Sequence, residues 1–398
     1  MVRANRIAAV RAKTAPLGAS DATTLLEYVR RQEQRMTATI RAMVEQESPS
    51  FNKAAVDTLG RMLAVEFAGR GGRVRFHTAA RFGDHLQVDF SAPNGKPVLL
   101  LGHFDTVWEL GTLTSMPWRE EKGRLWGPGV LDMKTGIVQM LFALDALREV
   151  RGGLPRPVTV LLVTDEEVGS ESSRAITEEL AKKSSAVLVL EPSYGLDGAL
   201  KTARNGVGEY TVKVHGRAAH AGLEPEKGHS AIVELARQIV VIGGFSEPGR
   251  DLTVNAGVVR GGTRTNVIAA EAEVEVDVRI SRMSDAARIE RKFRRLRPFD
   301  KACRLEVHGG INRPPLERSP KVTGLFRLAQ NLGRELGLDL QEAAVGGGSD
   351  GNFTAALGIP TLDGLGAVGE GAHAANESVI IAHLAPRTAL LARLIESI

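Results

Sequence analysis

The sequence predicts an α/β protein: a catalytic domain built on a mostly parallel, mixed sheet with helices on both faces, plus an inserted unit of ferredoxin-like (βαββαβ) order. Three observations predict this class. Short apolar runs typical of buried strands alternate with helical segments in the first half of the chain. Residues 205–314 change to strands in which apolar and polar residues alternate. Beyond Pro315 the alternation of helix and strand returns.

The elements of the larger unit follow from local patterns. Helical spacing is found over residues 23–44, 172–183, 321–336 and 383–398. Strand patterns are found over residues 72–77, 85–90, 97–102, 158–163 and 186–190. The last three of these strands are continuously apolar, which is typical of a strand buried on both faces of a parallel sheet.

The middle segment has its own pattern. Period-two strands are predicted over residues 209–216, 252–259, 271–280 and 302–309, and helices over 229–242 and 284–296. Insertion between two exposed turns is well tolerated. We therefore expect a discontinuous catalytic domain, residues 1–204 and 315–398, and an inserted lid, residues 205–314.

Composition excludes several classes of protein. The 398 residues are 43% hydrophobic and 25% charged, which is ordinary for a globular chain of more than one domain. The formal charge of +4 is spread among bases and acids, so a nucleic-acid partner is not expected. Residues 1–20 are basic, but their longest apolar run, IAAV, is too short for a signal core or a membrane span. We interpret them as an arm of a cytoplasmic protein.

Apolar strands lead directly into residues that can bind a metal. His103 follows PVLLLG, Glu166 and Glu167 follow VTVLLVTD, and Glu191 follows AVLVL. Because ligands collect at the carboxyl ends of strands in open α/β sheets, these side chains are expected to meet in one crevice. Cys303 is the only cysteine, so histidines and carboxylates must hold any metal.

Two further candidates complete a metal site. Asp132 lies in GPGVLDMKTG and His373 in GEGAHAANE. Five such ligands suit two zinc ions if Asp132 is shared between them. Each residue has an ordinary alternative: Asp132 could be a helix N-cap, a Glu pair usually faces solvent, and a lone His is more often structural than a ligand. The alternatives weaken together, because they leave three buried strands ending in metal-binding residues unexplained.

The motifs GHFDTV, GPGVLDMKTG, TDEEVGS, GRAAHAG, an EP dipeptide after a strand and a late Gly/Ala-His resemble one known family. It is the family of two-zinc metallopeptidases that includes glutamate carboxypeptidase, acetylornithine deacetylase and succinyl-diaminopimelate desuccinylase. The resemblance spans residues from about 97 to 376 and is greatest to glutamate carboxypeptidase.

The resemblance implies a role for each residue of the metal site. His103, Asp132 and Glu191 would hold one zinc ion, and Asp132, Glu167 and His373 the other, with cobalt or manganese as alternative ions. Asp105 would orient His103. Glu166 would be the general base that takes a proton from the water shared by the ions and returns it to the leaving nitrogen. The peptide bond between Asp132 and Met133 is expected to be cis.

The resemblance also implies residues that act on the substrate. His220 would reach across a homodimer, formed through the lid, to stabilise the oxyanion in the partner's site. Asn266 would bind the carbonyl or the end of the substrate, and Arg279 its terminal carboxylate. VGGGSDGN lacks the Lys of a phosphate-binding loop. Its Gly347, Gly348 and Ser349 would instead face the substrate. Arg313, in GGINRPP, lies at the exit of the lid, and from this position we expect a further anion contact or a hinge residue.

The predicted function is hydrolysis of an amide bond to release a C-terminal amino acid from a small peptide or an N-acyl amino acid. A deacylase or desuccinylase with the same metals is the alternative, and a non-catalytic binding protein is a remote one. Glutamate carboxypeptidases tend to place a Lys eight residues beyond the Glu ligand, where this chain has Ala199, with Lys201 nearby. The identity of the preferred C-terminal residue is therefore open.

Overall fold

The computed structural model describes residues 19–398, so the predicted basic arm, apart from its last two residues, lies outside them. The α-helices of the described residues are α1 (Ala19–Arg31), α2 (Glu33–Glu45), α3 (Lys53–Gly69), α4 (Thr135–Arg151), α5 (Arg174–Lys183), α6 (Ala231–Gly243), α7 (Met283–Arg294), α8 (Pro320–Glu335), α9 (Gly351–Ala356) and α10 (Leu384–Ser397).

The strands of the same residues are β1 (Arg73–His77), β2 (His85–Phe90), β3 (Val98–His103), β4 (Arg119–Glu121), β5 (Arg124–Trp126), β6 (Val158–Val163), β7 (Ala186–Val189), β8 (Leu200–Arg204), β9 (Gly206–His215), β10 (Thr253–Gly261), β11 (Glu271–Ile280), β12 (Arg304–Arg313), β13 (Glu342–Val345), β14 (Thr361–Leu362), β15 (Gly369–Glu370) and β16 (Ser378–Ile380).

The main sheet is mixed and mostly parallel at its centre. Its order is β1-β2-β6-β3-β7-β14. The neighbours β6, β3, β7 and β14 pair in parallel, and β1 and β2 add an antiparallel edge. The apolar side chains of β3 alternate between two cores, with Leu100 in the core that includes α4 and α10 and Leu101 in the core beside α5. Helices therefore cover both faces, as predicted.

The helix predicted over residues 23–44 is two helices. The chain turns at Gln32, which is the N-cap of α2 and has φ −95° and ψ 0°. Buried residues lie on both sides of this turn, including Val29 on α1 and Met36 on α2. The main contacts of α1 are with α10 and α4, whereas α2 contacts α4 and the turn before it. The turn lets each segment bury its own apolar stripe.

A second sheet has its own hydrophobic core. Its order is β10-β11-β9-β12, with every neighbouring pair antiparallel. Helices α6 and α7 pack on it through residues such as Leu235 and Phe293. Its elements follow one another as β, α, β, β, α, β, the order that the sequence predicts. Arg204 and Leu316 form an antiparallel bridge, so the chain enters and leaves this unit side by side.

A small sheet that the sequence patterns did not predict has the order β15-β16-β5-β4. Its antiparallel pairing of β16 with β5 places Ser378 opposite Trp126. The loop that carries His373 therefore lies beside the segment that leads to Asp132. Within the described residues, no helix combines the length and the apolar character needed to cross a membrane.

Candidate metal centre

Three neighbouring strands deliver side chains to one edge of the main sheet. β3 lies between β6 and β7 and ends at His103. Glu166 and Glu167 follow the end of β6 in a short 3-10 turn, and Glu191 lies two residues after β7. Buried apolar side chains fix these strands in register, so their carboxyl ends and the polar residues that follow converge.

Two loops supply the remaining candidates. Asp132 lies in a turn before α4 with non-helical φ −114° and ψ 96°, and its peptide bond to Met133 is cis, as expected. The N-cap of α4 is Lys134, so Asp132 is not the helix cap that its sequence position also allowed. His373 lies between β15 and β16 with φ 61°, in the left-handed region.

The five candidate ligands form two groups that share Asp132. His103 Nε2 lies 3.1 Å from Asp132 Oδ1 and 3.3 Å from Glu191 Oε1. His373 Nε2 lies 3.4 Å from Asp132 Oδ2 and 3.1 Å from Glu167 Oε2. The two oxygens of the Asp132 carboxylate thus face different imidazoles, as a carboxylate that bridges two ions does.

The donor set fits two tetrahedral cations. An ion with bonds of about 2.1 Å holds its ligand atoms about 3.4 Å apart, close to the separations between His103, His373 and their carboxylates. In each group, one ligand atom per residue lies within 4.8 Å of the others. Glu167 Oε1 is buried and has no hydrogen-bond partner among the described residues, so it retains an unused acceptor at the site.

The electrostatics of the groups favour positive charge. Burial disfavours protonation of His103, but Asp105, Asp132 and Glu191 outweigh it and raise the pKa of His103 well above its usual value. Hydrogen bonds to Asp132 and Glu167 raise the pKa of His373 to about 10. The carboxylates around these imidazoles therefore attract a proton or a cation strongly.

Glu166 differs from the other acids because it belongs to neither ligand group. Burial raises the pKa of Glu166 well above its ordinary value, although Arg313 opposes this. Arg313 Nη2 lies 3.0 Å from Glu166 Oε1. A carboxyl group with a raised pKa can accept a proton and give it back near neutral pH.

Asp105 lies behind His103. Its backbone carbonyl oxygen is 3.0 Å from His103 Nδ1, and its Oδ1 is 3.4 Å from the same nitrogen. Ser50 donates a hydrogen bond of 2.7 Å to Asp105 Oδ2. These contacts orient the imidazole so that Nε2 faces Asp132 and Glu191, the arrangement typical of a metal-binding histidine.

A cavity of about 650 Å³ opens beside both groups. The candidate residues on its wall are Asp132, Glu166, Glu167, Glu191, Arg279, Arg313, Gly347, Gly348 and His373. Arg279 binds both carboxylate oxygens of Asp277, two residues before it on β11, at 2.9 and 2.8 Å. The cavity therefore joins the metal-binding groups to residues of the second sheet.

The structure corrects the prediction that Ser349 faces the substrate. It is fully buried and is not part of the cavity wall. Its hydroxyl donates to Asp363 at 2.6 Å and accepts a hydrogen bond from the amide of Gly351. Ser349 thus stabilises the turn into α9 behind the wall, whereas Gly347 and Gly348 form its surface.

His220 and Asn266 do not reach the cavity of their own chain. Both are exposed and lie in adjacent segments, where Ala221 donates a backbone hydrogen bond to Asn266. His220 Nδ1 accepts hydrogen bonds from the amides of Gly222 and Leu223, each at 3.1 Å. The structure brings these two residues close to each other but leaves them apart from the metal-binding groups.

Two basic residues on β8 lie at the site, although the sequence did not predict them as site residues. Arg204 binds Glu191 Oε2 at 3.1 Å and both oxygens of Asp363, so it orients the carboxylate of one candidate ligand. Lys201 is 8% exposed and lies on the cavity wall, and among the described residues it has no ion-pair partner. The sequence signal that could have identified them is KTAR, in which two basic residues stand close together in a strand, since buried bases are rare.

Comparisons with known proteins identify the family and the fold of the chain. The family model described as Peptidase family M20/M25/M40 matches residues 99–397. The chain is 30% identical over 365 residues to carboxypeptidase G2 of Pseudomonas sp. strain RS-16, covering 90% of this chain and 88% of that one. It is 26% identical over 351 residues to succinyl-diaminopimelate desuccinylase of Acinetobacter baumannii, covering 83% and 92%. The crystal structure of aminopeptidase PepT from Bacillus cereus has a similar fold, with a TM-score of 0.75 at 21% identity over 92% of this chain and 98% of that one.

Proposed function

The chain belongs to peptidase family M20/M25/M40, a family of metal-dependent hydrolases, and from this premise we propose that it uses two zinc ions to release a C-terminal amino acid from a peptide or an N-acyl amino acid. The observation that carries the proposal is the Asp132 carboxylate, whose two oxygens face His103 and His373. A shared carboxylate between two ligand groups is what an enzyme with paired ions requires.

His103, Asp132 and Glu191 would hold one ion, and Asp132, Glu167 and His373 the other. When bound, the ions would polarise the scissile carbonyl and lower the pKa of a water molecule. Glu166 belongs to neither group, yet it lies on the same cavity wall, so it is free to take the proton of that water and deliver it to the leaving nitrogen.

The cavity wall supports the binding of a substrate carboxylate. Arg279 lies on it and presents a planar guanidinium that suits a carboxylate. Asp277 balances its charge, so a bound carboxylate would compete with that ion pair or share it. Gly347 and Gly348 also lie on this wall, and because they lack side chains they leave room for the rest of the substrate.

The second sheet supports a lid that pairs two subunits. We assign residues 205–314 to this ferredoxin-like lid and residues 1–204 and 315–398 to the catalytic domain. Helix α6 exposes Val233 and Val240, the latter 78% exposed, and the edge strand β10 exposes Val259. Pairing of two such faces would bury them and protect the strand edge. His220 and Asn266 would then complete the partner's cavity.

The second candidate is a deacylase that cleaves simple N-acyl amino acids but not peptides, and the similarity to a succinyl-diaminopimelate desuccinylase over 83% of the chain favours it. Both candidates use the same metal centre and the same base. They differ in the group on the carbonyl side of the scissile amide bond, which is a peptide for the first candidate and a simple acyl group for the second.

A product survey tests the proposal. The zinc-loaded protein is incubated with peptides and N-acyl amino acids that differ in the C-terminal residue and in the acyl part, and the released amines are identified. Release of the C-terminal amino acid from peptides supports a carboxypeptidase, and cleavage of simple acyl amino acids alone supports the deacylase. Absence of cleavage across the panel, with zinc bound, would refute both.

A further inference from the structure

Glu377 is a buried carboxylate with all its acceptor capacity in use. It is fully buried. Its Oε1 accepts hydrogen bonds from the amides of Leu131, at 2.8 Å, and Asp132, at 3.0 Å. Its Oε2 accepts from the amide of Gly129 and from Trp108 Nε1, each at 2.8 Å. Four donors occupy the roughly four lone-pair positions of one carboxylate.

These donors belong to the turn that carries Asp132. Gly129 has φ 73°, and Asp132 and Met133 have non-helical dihedral angles, so the turn cannot satisfy all its amides as a regular helix would. Two of its amides find acceptors within the turn, Val130 on Gly127 and Lys134 on Gly129. Three others converge on Glu377, and such a concave group of amides favours a negative charge.

Glu377 also belongs to the loop that carries His373. Within this loop, Ala374 donates to Gly371 at 2.8 Å and Glu377 donates to Ala374 at 2.9 Å. β16 begins at the next residue and pairs with β5, which leads to the Asp132 turn. One short loop thus supplies a candidate metal ligand and holds the backbone of another.

We propose that Glu377 is a positioning residue that sets the distance between Asp132 and His373 by binding the backbone of the Asp132 turn, and so determines how tightly the centre holds its metal ions. Glu377 belongs to neither ligand group and is not part of the cavity wall. The proposal rests on the metal-binding part of the proposed function and is independent of the identity of the substrate.

Glu377→Gln tests this role. The amide group keeps the size of the side chain but replaces one acceptor oxygen with an NH₂ group, which would face amide donors. Zinc affinity of the metal-depleted protein is measured by competition with a chelator. We expect zinc binding to weaken about 10- to 100-fold, the range typical of residues that orient metal ligands. Without metal, the amide hydrogens of residues 127–134 should exchange faster in the variant than in the wild-type protein.

Glu234→Gln is the matched control. Glu234 is also buried, and it accepts hydrogen bonds from Gln238 and from the amides of Phe299 and Asp300 in the second sheet's unit, far from the metal-binding groups in sequence. Loss of this carboxylate should lower the melting temperature but leave zinc affinity within about twofold of the wild-type value. A purely structural role for Glu377 would give the same result as this control.

The outcomes separate the proposals. Wild-type zinc affinity in Glu377→Gln would overturn the positioning role, even if turnover of every substrate failed for another reason. Weaker zinc binding in Glu377→Gln, together with a zinc-loaded wild-type protein that cleaves none of the substrates, would support the positioning role while refuting the proposed function. Should Glu377→Gln fail to fold, Trp108→Phe decides: it removes one donor, and a zinc affinity equal to that of the wild type would overturn the proposal, whereas a severalfold loss supports it.

Discussion

Arg313, the last residue of β12, contacts Glu166 twice through one nitrogen. Its Nη2 donates to the backbone carbonyl of Glu166 at 2.7 Å and lies 3.0 Å from Oε1 of the same residue. Ser170 and Asp350 bind the same nitrogen, at 2.7 and 3.3 Å. The guanidinium therefore contacts the candidate general base directly, which favours a positioning role over the anion contact or the hinge role expected from the sequence.

Arg313→Met should lower kcat with little effect on KM. Without the guanidinium, Glu166 loses both its backbone contact and its opposing charge. We expect a loss of about 10- to 100-fold in kcat, the range typical of residues that orient catalytic groups. Arg318→Met, which removes an exposed arginine paired with Glu342, is the control and should retain wild-type kcat. A large rise in KM with kcat intact would show instead that Arg313 binds the substrate.

Lys201→Met should reduce the preference for an anionic substrate. The ammonium lies on the cavity wall without an ion-pair partner among the described residues, and burial lowers its pKa, with Arg204 adding to the effect. A substrate carboxylate would pair with it. The loss of a charged hydrogen bond worth about 1.5–3 kcal/mol corresponds to roughly 10- to 100-fold in kcat/KM.

Steady-state kinetics on C-terminal Glu and Gln substrates measure this effect. Lys122→Met removes an exposed lysine and is the control. An equal loss for the Glu and Gln substrates would mean that Lys201 does not recognise the charge of the side chain.

Mixed dimers test the role of His220 in the partner's cavity. Glu166→Ala and His220→Ala chains should each be inactive, because one lacks the base and the other lacks the residue that would stabilise the oxyanion. When the two exchange subunits, one cavity of the mixed dimer receives both intact residues, so part of the activity should return.

Subunit exchange is verified by native mass spectrometry with chains of different mass. Exchange without any recovery of activity would place His220 outside the partner's site. A mixture of Glu166→Ala with Asp132→Ala chains is the control. Each chain supplies both residues to its own cavity, so each cavity of the mixed dimer lacks one of them and no activity should return.

The strands that deliver the candidate metal ligands could be predicted from the sequence, because continuous apolar runs identify buried parallel strands and ligands collect at their carboxyl ends. His103 and Glu191 follow directly from this rule. The second sheet was equally predictable, since β11 alternates apolar and polar residues along its entire length.

The remaining geometry depends on contacts between distant segments. Asp132 and His373 lie in loops that the pairing of β5 with β16 brings together, and these two strands are three residues each, too short for a periodic signal. Ser349 has the polarity of a substrate contact, but Asp363, fourteen positions away, draws its hydroxyl behind the cavity wall. Glu377 likewise acts on a turn about 245 positions earlier, and no local pattern reports such a pairing.

The central claim, that Asp132 joins two metal sites while Glu166 acts as a base and not as a ligand, is tested most directly by the zinc content of Glu166→Gln measured together with its turnover. We predict two zinc ions per chain and a turnover reduced about 100- to 10,000-fold, the usual cost of removing a general base. Asp132→Ala, measured in parallel, should retain neither ion. Loss of zinc from Glu166→Gln, or wild-type turnover in that variant, would contradict the account.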